Sequence, residues 1–78
     1  MTSDECRAIF PRRLVQIRVD RSLSPEGLAI MMNRKASEVV AWEQGRSYPG
    51  FNQLIDLSEA LDAPIDFIVG RIDSYERR

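Results

Sequence analysis

The sequence predicts an all-α fold, five short helices closing on one core. Three observations predict it: apolar residues recur at spacings of three and four, no stretch alternates apolar with polar at a period of two, and breaks rich in proline, glycine and serine separate the periodic segments. With 78 residues the chain is limited to a single core, because a domain of this size buries only about 60 per cent of the surface its unfolded form exposes. A composition of 44% hydrophobic and 29% charged residues suits a folded chain rather than a disordered one.

Residues 1–9 read as a polar N-terminal arm, and with Asp4 and Glu5 in it that arm is poorly suited to a DNA groove. Phe10, Leu14, Ile17 and Arg21 then mark a first helix from Phe10 to Arg21, with Pro11 in the opening turn, where its missing N–H costs nothing. Ser24-Pro25-Glu26 starts a second helix: a serine cap, a proline at the first helical position and an acid near the positive end of the dipole. Leu28, Ala29, Met31 and Met32 give it an apolar face, and Asn33, tolerant of left-handed geometry, ends it. A third helix runs from Lys35 to Gln44, with Val39 and Trp42 inward and Gly45 as its stop. After the loop Arg46 to Gly50, Phe51, Leu54, Ile55, Leu57, Ser58 and Leu61 mark a fourth helix, and Ile65, Phe67 and Ile68 a fifth, opened by Pro64 and stopped near Gly70. The tail, residues 71–78, reads either as a frayed end or as a helical extension that packs on a second subunit.

Several function classes are disfavoured. The chain has no histidine, and its single cysteine, Cys6, has no adjacent base and no disulfide partner, so catalysis, a metal centre and a bound cofactor are not expected. No glycine-rich phosphate loop occurs, and no small-molecule ligand is expected. No apolar run approaches the roughly 20 residues of a membrane span, and MTSDECRAIF lacks the basic-then-apolar order of a signal peptide, so a cytoplasmic protein without a membrane partner is expected.

Leu23 to Pro49, LSPEGLAIMMNRKASEVVAWEQGRSYP, sets two short amphipathic helices about a tight turn and closes on Trp42-Glu43-Gln44-Gly45. This pattern resembles the helix-turn-helix of phage-repressor (Xre/Cro) type DNA-binding proteins, and the resemblance extends from Phe10 to Gly70. It implies a compact five-helix, lambda-repressor-like DNA-binding domain over residues 10–70, in which the first helix of the pair braces on the DNA backbone and the second enters the major groove. It also implies an ion pair between Arg18 and Glu43, and base-facing positions at Ala36, Ser37, Glu38 and Ala41 with Val40 beside them. Trp42 would be core, with part of its ring exposed near the DNA backbone. Three positions depart from the family pattern: Pro25 replaces a glutamine, Arg34 an apolar residue and Lys35 a small polar cap.

Phosphate contacts are better supplied than base contacts. Ser24 with the start of the second helix, Arg34 and Lys35 before the third, and Arg46, Ser47 and Tyr48 after it would lie along one edge of the motif, with Arg12 and Arg21 adding longer-range attraction. From Phe10 to Gly50 seven basic residues face four acidic ones, whereas from Phe51 to Arg78 three face six, so an overall charge of −1 conceals a basic front and an acidic back. The expected activity is sequence-specific binding of double-stranded DNA by a homodimeric transcriptional regulator, acting as a repressor. The alternative is a helix-turn-helix protein-interaction module, antitoxin-like or anti-repressor-like, whose DNA binding is weak or lost.

Overall fold

The computed structural model describes residues 1–76. Among the described residues the chain forms five helices and no strand: α1 (Ser3–Asp20), α2 (Pro25–Met32), α3 (Ala36–Glu43), α4 (Phe51–Leu61) and α5 (Ile65–Ile68). None of these helices is long and apolar enough to cross a membrane.

The first helix begins at Ser3, not Phe10, so most of the expected N-terminal arm is helical. A capping box starts it: the Glu5 amide donates to Thr2 Oγ1 at 3.2 Å, and the Thr2 amide donates to Glu5 Oε1 at 3.1 Å. Pro11 consequently sits inside the helix, where it withholds the amide hydrogen that the Arg7 carbonyl would otherwise accept.

Each of the five helices among the described residues is closed, at its C-cap or one residue beyond it, by a residue with positive φ: Ser22 (58°), Asn33 (55°), Gly45 (71°), Asp62 (51°) and Gly70 (83°). After each of these the chain turns back, and the next amide bonds to a carbonyl five positions earlier: Leu23 to Arg18 (3.1 Å), Arg34 to Ala29 (2.9 Å), Arg46 to Ala41 (3.0 Å), Ala63 to Ser58 (3.1 Å) and Arg71 to Asp66 (2.8 Å). These closures satisfy carbonyls that a helix end leaves orphaned and fix the exit direction of the chain. Asn33 therefore sets the turn between α2 and α3, and Gly45 the exit from α3.

Phe10, Leu14 and Ile17 of α1 meet Leu28, Ala29 and Met32 of α2, Val39 and Trp42 of α3, Leu57 and Leu61 of α4, Ala63, and Ile68 of α5 in one buried cluster. Ala29 is only 2% exposed, which lets α2 and α3 approach closely. Trp42 is 3% exposed, so the expectation that part of its ring would reach the DNA backbone fails; the ring is core.

Two arginines of α1 hold the back of the molecule through main-chain acceptors. Arg13 Nη1 donates to the carbonyls of Phe67 (2.7 Å) and Ile72 (2.9 Å), and its guanidinium lies 4.3 Å from the centre of the Phe67 ring. Arg21 Nε donates to the Leu61 carbonyl at 2.8 Å, and its Nη2 donates to the Tyr75 hydroxyl, also at 2.8 Å. Tyr75 packs on Phe67 with ring centres 4.9 Å apart. Through residue 76 the tail is thus neither frayed nor helical but folded back on the helices of its own chain; Arg77 and Arg78 lie outside the described residues.

Candidate nucleic-acid interface

The α2–α3 pair is joined by Asn33, Arg34 and Lys35, all exposed. α3 buries Val39 and Trp42; of its other residues Ser37 is exposed and the rest are half-buried, so its accessible side is a narrow ridge. Of the residues expected to face bases, Ser37 is exposed, while Ala36, Glu38, Val40 and Ala41 are half-buried. Ser37, Ala41 and Gln44 follow one another at spacings of four and three and so share one side of the ridge. Gln44, an exposed amide at the end of that stripe, is a candidate contact the sequence reading overlooked because it served there only as the helix end. Its seven-residue offset from Ser37 was the available signal.

Arg18 and Glu43 meet across the α1–α3 junction in a two-pronged bond, Nε to Oε2 at 2.6 Å and Nη2 to Oε1 at 3.0 Å. The third nitrogen, Nη1, donates to the Leu23 carbonyl at 2.9 Å, so one guanidinium joins α1, the α1–α2 turn and the end of α3. The side chains are 13% and 9% exposed, a partly dry setting in which both charges depend on each other. The hydrogen bond to Glu43 raises the pKa of Arg18 above its already high ordinary value, against the opposing effect of burial.

The expected phosphate contacts divide. Ser24 Oγ accepts from the Gly27 amide at 2.9 Å, which caps α2 and leaves the hydroxyl hydrogen able to donate. Lys35, at the start of α3, and Arg46 and Ser47, past its end, are exposed, and no ion pair engages Lys35 or Arg46 among the described residues. Arg34 leans on Glu38 at 3.8 Å, one turn away, which partly offsets both charges.

Tyr48, an expected phosphate contact, and Arg21, an expected source of longer-range attraction, both make bonds within the chain. The Tyr48 hydroxyl donates to the Arg7 carbonyl at 3.3 Å, and its ring lies 6.1 Å from that of Phe10, so its polar end is committed to α1 rather than to phosphate. Arg21 is held by the Leu61 carbonyl and the Tyr75 hydroxyl, so its side chain is fixed at the α4–α5 junction, while its charge, met there by neutral partners, still adds to the field of the molecule. Of the seven basic residues of the front half, those that remain exposed are Arg12, Arg34, Lys35 and Arg46.

No group of three or more His, Cys, Asp or Glu side chains that could hold a metal ion occurs among the described residues. No protein-family model matches the chain, and no curated protein matches it in sequence.

Proposed function

We propose that the chain is a phage-repressor-like (Xre/Cro type) helix-turn-helix domain that binds double-stranded DNA, works in the cytoplasm as a homodimer, and represses transcription. The carrying observation is the outward ridge of α3 with exposed cations at both ends, Lys35 ahead of it and Arg46 behind. Eight helical residues span roughly 12 Å, which is close to the width of about 12 Å between the backbones of a B-DNA major groove. Cations placed at the two ends of such a rod fall where phosphates run. Ser24 and the α2 N-terminus add a hydroxyl and a positive dipole on the same edge.

Base reading on this surface rests on few donors. Gln44 supplies a side-chain amide, Glu38 an acceptor for the cytosine amino group, Ser37 a hydroxyl, and Ala36, Val40 and Ala41 apolar contact for thymine methyls. Positioning on phosphate outweighs discrimination among bases, and affinity should fall steeply with salt.

Fluorescence titration of a labelled duplex with the wild type and Arg46→Ala, at several salt concentrations, tests the reading. Removing one phosphate contact should weaken binding to all sequences alike and reduce the slope of log K against log salt by about 1. A wild-type chain that never retains duplex, even at low salt, would reject the assignment.

The rival reading, a protein-interaction module, is favoured by one observation: Ile30 and Met31, consecutive on α2, stand 79% and 55% exposed. On that reading, Ile30→Lys abolishes function in cells while duplex retention is nil from the start.

A further inference from the structure

Where the N-terminal half of α1 meets the α3–α4 loop and α4, Cys6, Phe10, Tyr48, Pro49, Leu54 and Val69 line an apolar groove of about 210 Å³. Beside it Phe51 stands 78% exposed. Phe51 is three residues from Leu54 and therefore on the same side of α4 as the groove wall. A bare aromatic ring and an open apolar groove thus occupy one face.

We propose that this face receives a second copy of the same chain, with the Phe51 ring of each protomer seated in the groove of its partner. Size permits it, because a cavity of roughly 150 Å³ already accommodates a benzene ring. Symmetry favours it too. A two-fold interface uses one patch twice, so projection and recess must lie together on that patch, as they do here.

Charge points to a copy rather than to a foreign chain. On the α1 rim of the groove Asp4 and Arg7 lie 3.5 Å apart with side chains 93% and 60% exposed. A rim carrying one sign would repel its own image. A rim carrying both can exchange partners across the two-fold axis, Arg7 to the partner's Asp4 and the reverse. The inference deepens the homodimer element of the DNA-binding reading, and its test needs no DNA.

Sedimentation velocity on the full chain over a wide concentration range provides that test, with Phe51→Asp, Arg7→Asp, the doubly reversed Asp4→Arg/Arg7→Asp, and wild type alkylated at Cys6 with N-ethylmaleimide. The wild type is expected to dimerise. Phe51→Asp and the alkylated protein should weaken dimerisation at least tenfold with unchanged helical circular dichroism, and Arg7→Asp should weaken it while the double reversal restores it. A wild type that stays monomeric throughout overturns the proposal, including one whose groove takes up an apolar dye as a monomer. So does a dimer that Phe51→Asp and alkylation leave intact. A chain that dimerises through Phe51 yet never retains duplex supports this interface and fails the DNA reading alone.

Discussion

The Tyr48 hydroxyl donates to the Arg7 carbonyl, 3.3 Å away, the acceptor that Pro11 deprives of its helical donor. A side chain of the α3–α4 loop thus repairs a gap in α1 and ties the basic loop to the helix. Gly45 lies in the same contact, since a Cβ there would sit 3.6 Å from Pro11 and 3.7 Å from the Tyr48 hydroxyl. Tyr48→Phe keeps the ring and removes the bond, and should cost about 1 kcal/mol in urea unfolding. In a Pro11→Ala background the restored amide occupies the carbonyl, so Tyr48→Phe should then be nearly neutral. Equal costs in both backgrounds would show that the two sites are uncoupled.

Breaking the Arg18–Glu43 bond should be among the most costly single changes outside the apolar core. Glu43→Ala leaves a guanidinium largely out of water with only the Leu23 carbonyl as partner, for a loss of about 3 kcal/mol. Arg18→Lys should also destabilise, because an ammonium cannot span both carboxylate oxygens and that carbonyl. The pH dependence follows in sign. A group whose pKa rises on folding contributes stability at all pH values below its unfolded pKa and loses it above its folded one, so titration of Arg18 adds no slope between pH 7 and about 10. Denaturation curves across that range, compared with those of Arg18→Lys, check this.

At the other end of α1, the Glu5 carboxylate accepts from the Thr2 amide and hydroxyl, which lowers its pKa from the ordinary value of 4.5. The linkage sign is the reverse of that for Arg18. The first turn gains from ionised Glu5 above pH 4.5 and loses that gain as pH falls through the lowered value. Amide exchange at Glu5 and Cys6, followed by NMR as pH is lowered, should show this turn opening earlier than the rest of α1. Thr2→Ala should make it open at every pH.

Left-handed closures give substitutions of opposite sign. Ser22 holds a positive φ without the glycine's freedom, so Ser22→Gly should raise stability by about 1 kcal/mol. At Gly70 a Cβ would come within 2.9 Å of Ile9 Cβ on top of an unfavourable φ of 83°, so Gly70→Ala should cost about 2 kcal/mol or more. Thermal unfolding of the two variants settles the order.

Local rules located most of α2 and α3. Ser24 acts on an amide three residues away and Pro25, Asn33 and Gly45 through their own backbone, so none needs a distant partner. The start of α1 was misplaced for a reason that can be stated: Thr2 and Glu5 already spelled a cap, but a proline costs least in a first turn, and the donor that replaces the missing amide of Pro11 comes from Tyr48, 41 positions from Arg7. The fate of Tyr75 was illegible because its attachments run to Arg21, the Asp62 carbonyl and the Phe67 ring, which leave no periodic trace. At the candidate interface, exposure of Lys35, Arg46 and Ser37 followed from their place about α3. The attachment of Tyr48 to Arg7 and of Arg21 to Leu61 and Tyr75 did not, since an aromatic or basic residue in a loop or turn carries no mark of what it will touch.

Arg13 and Arg21 grip carbonyl oxygens of Phe67, Ile72 and Leu61. A peptide oxygen is the same whatever residue bears it, so the main-chain part of each clasp is indifferent to the side chains at those positions, whereas the Phe67 ring under Arg13 and the Tyr75 hydroxyl against Arg21 are not interchangeable. Apart from those two contacts, the clasps leave the rear of the molecule latitude to drift or be redesigned, provided its main chain keeps its course. Two codons of the first helix thus carry much of the cohesion between α1 and the rear.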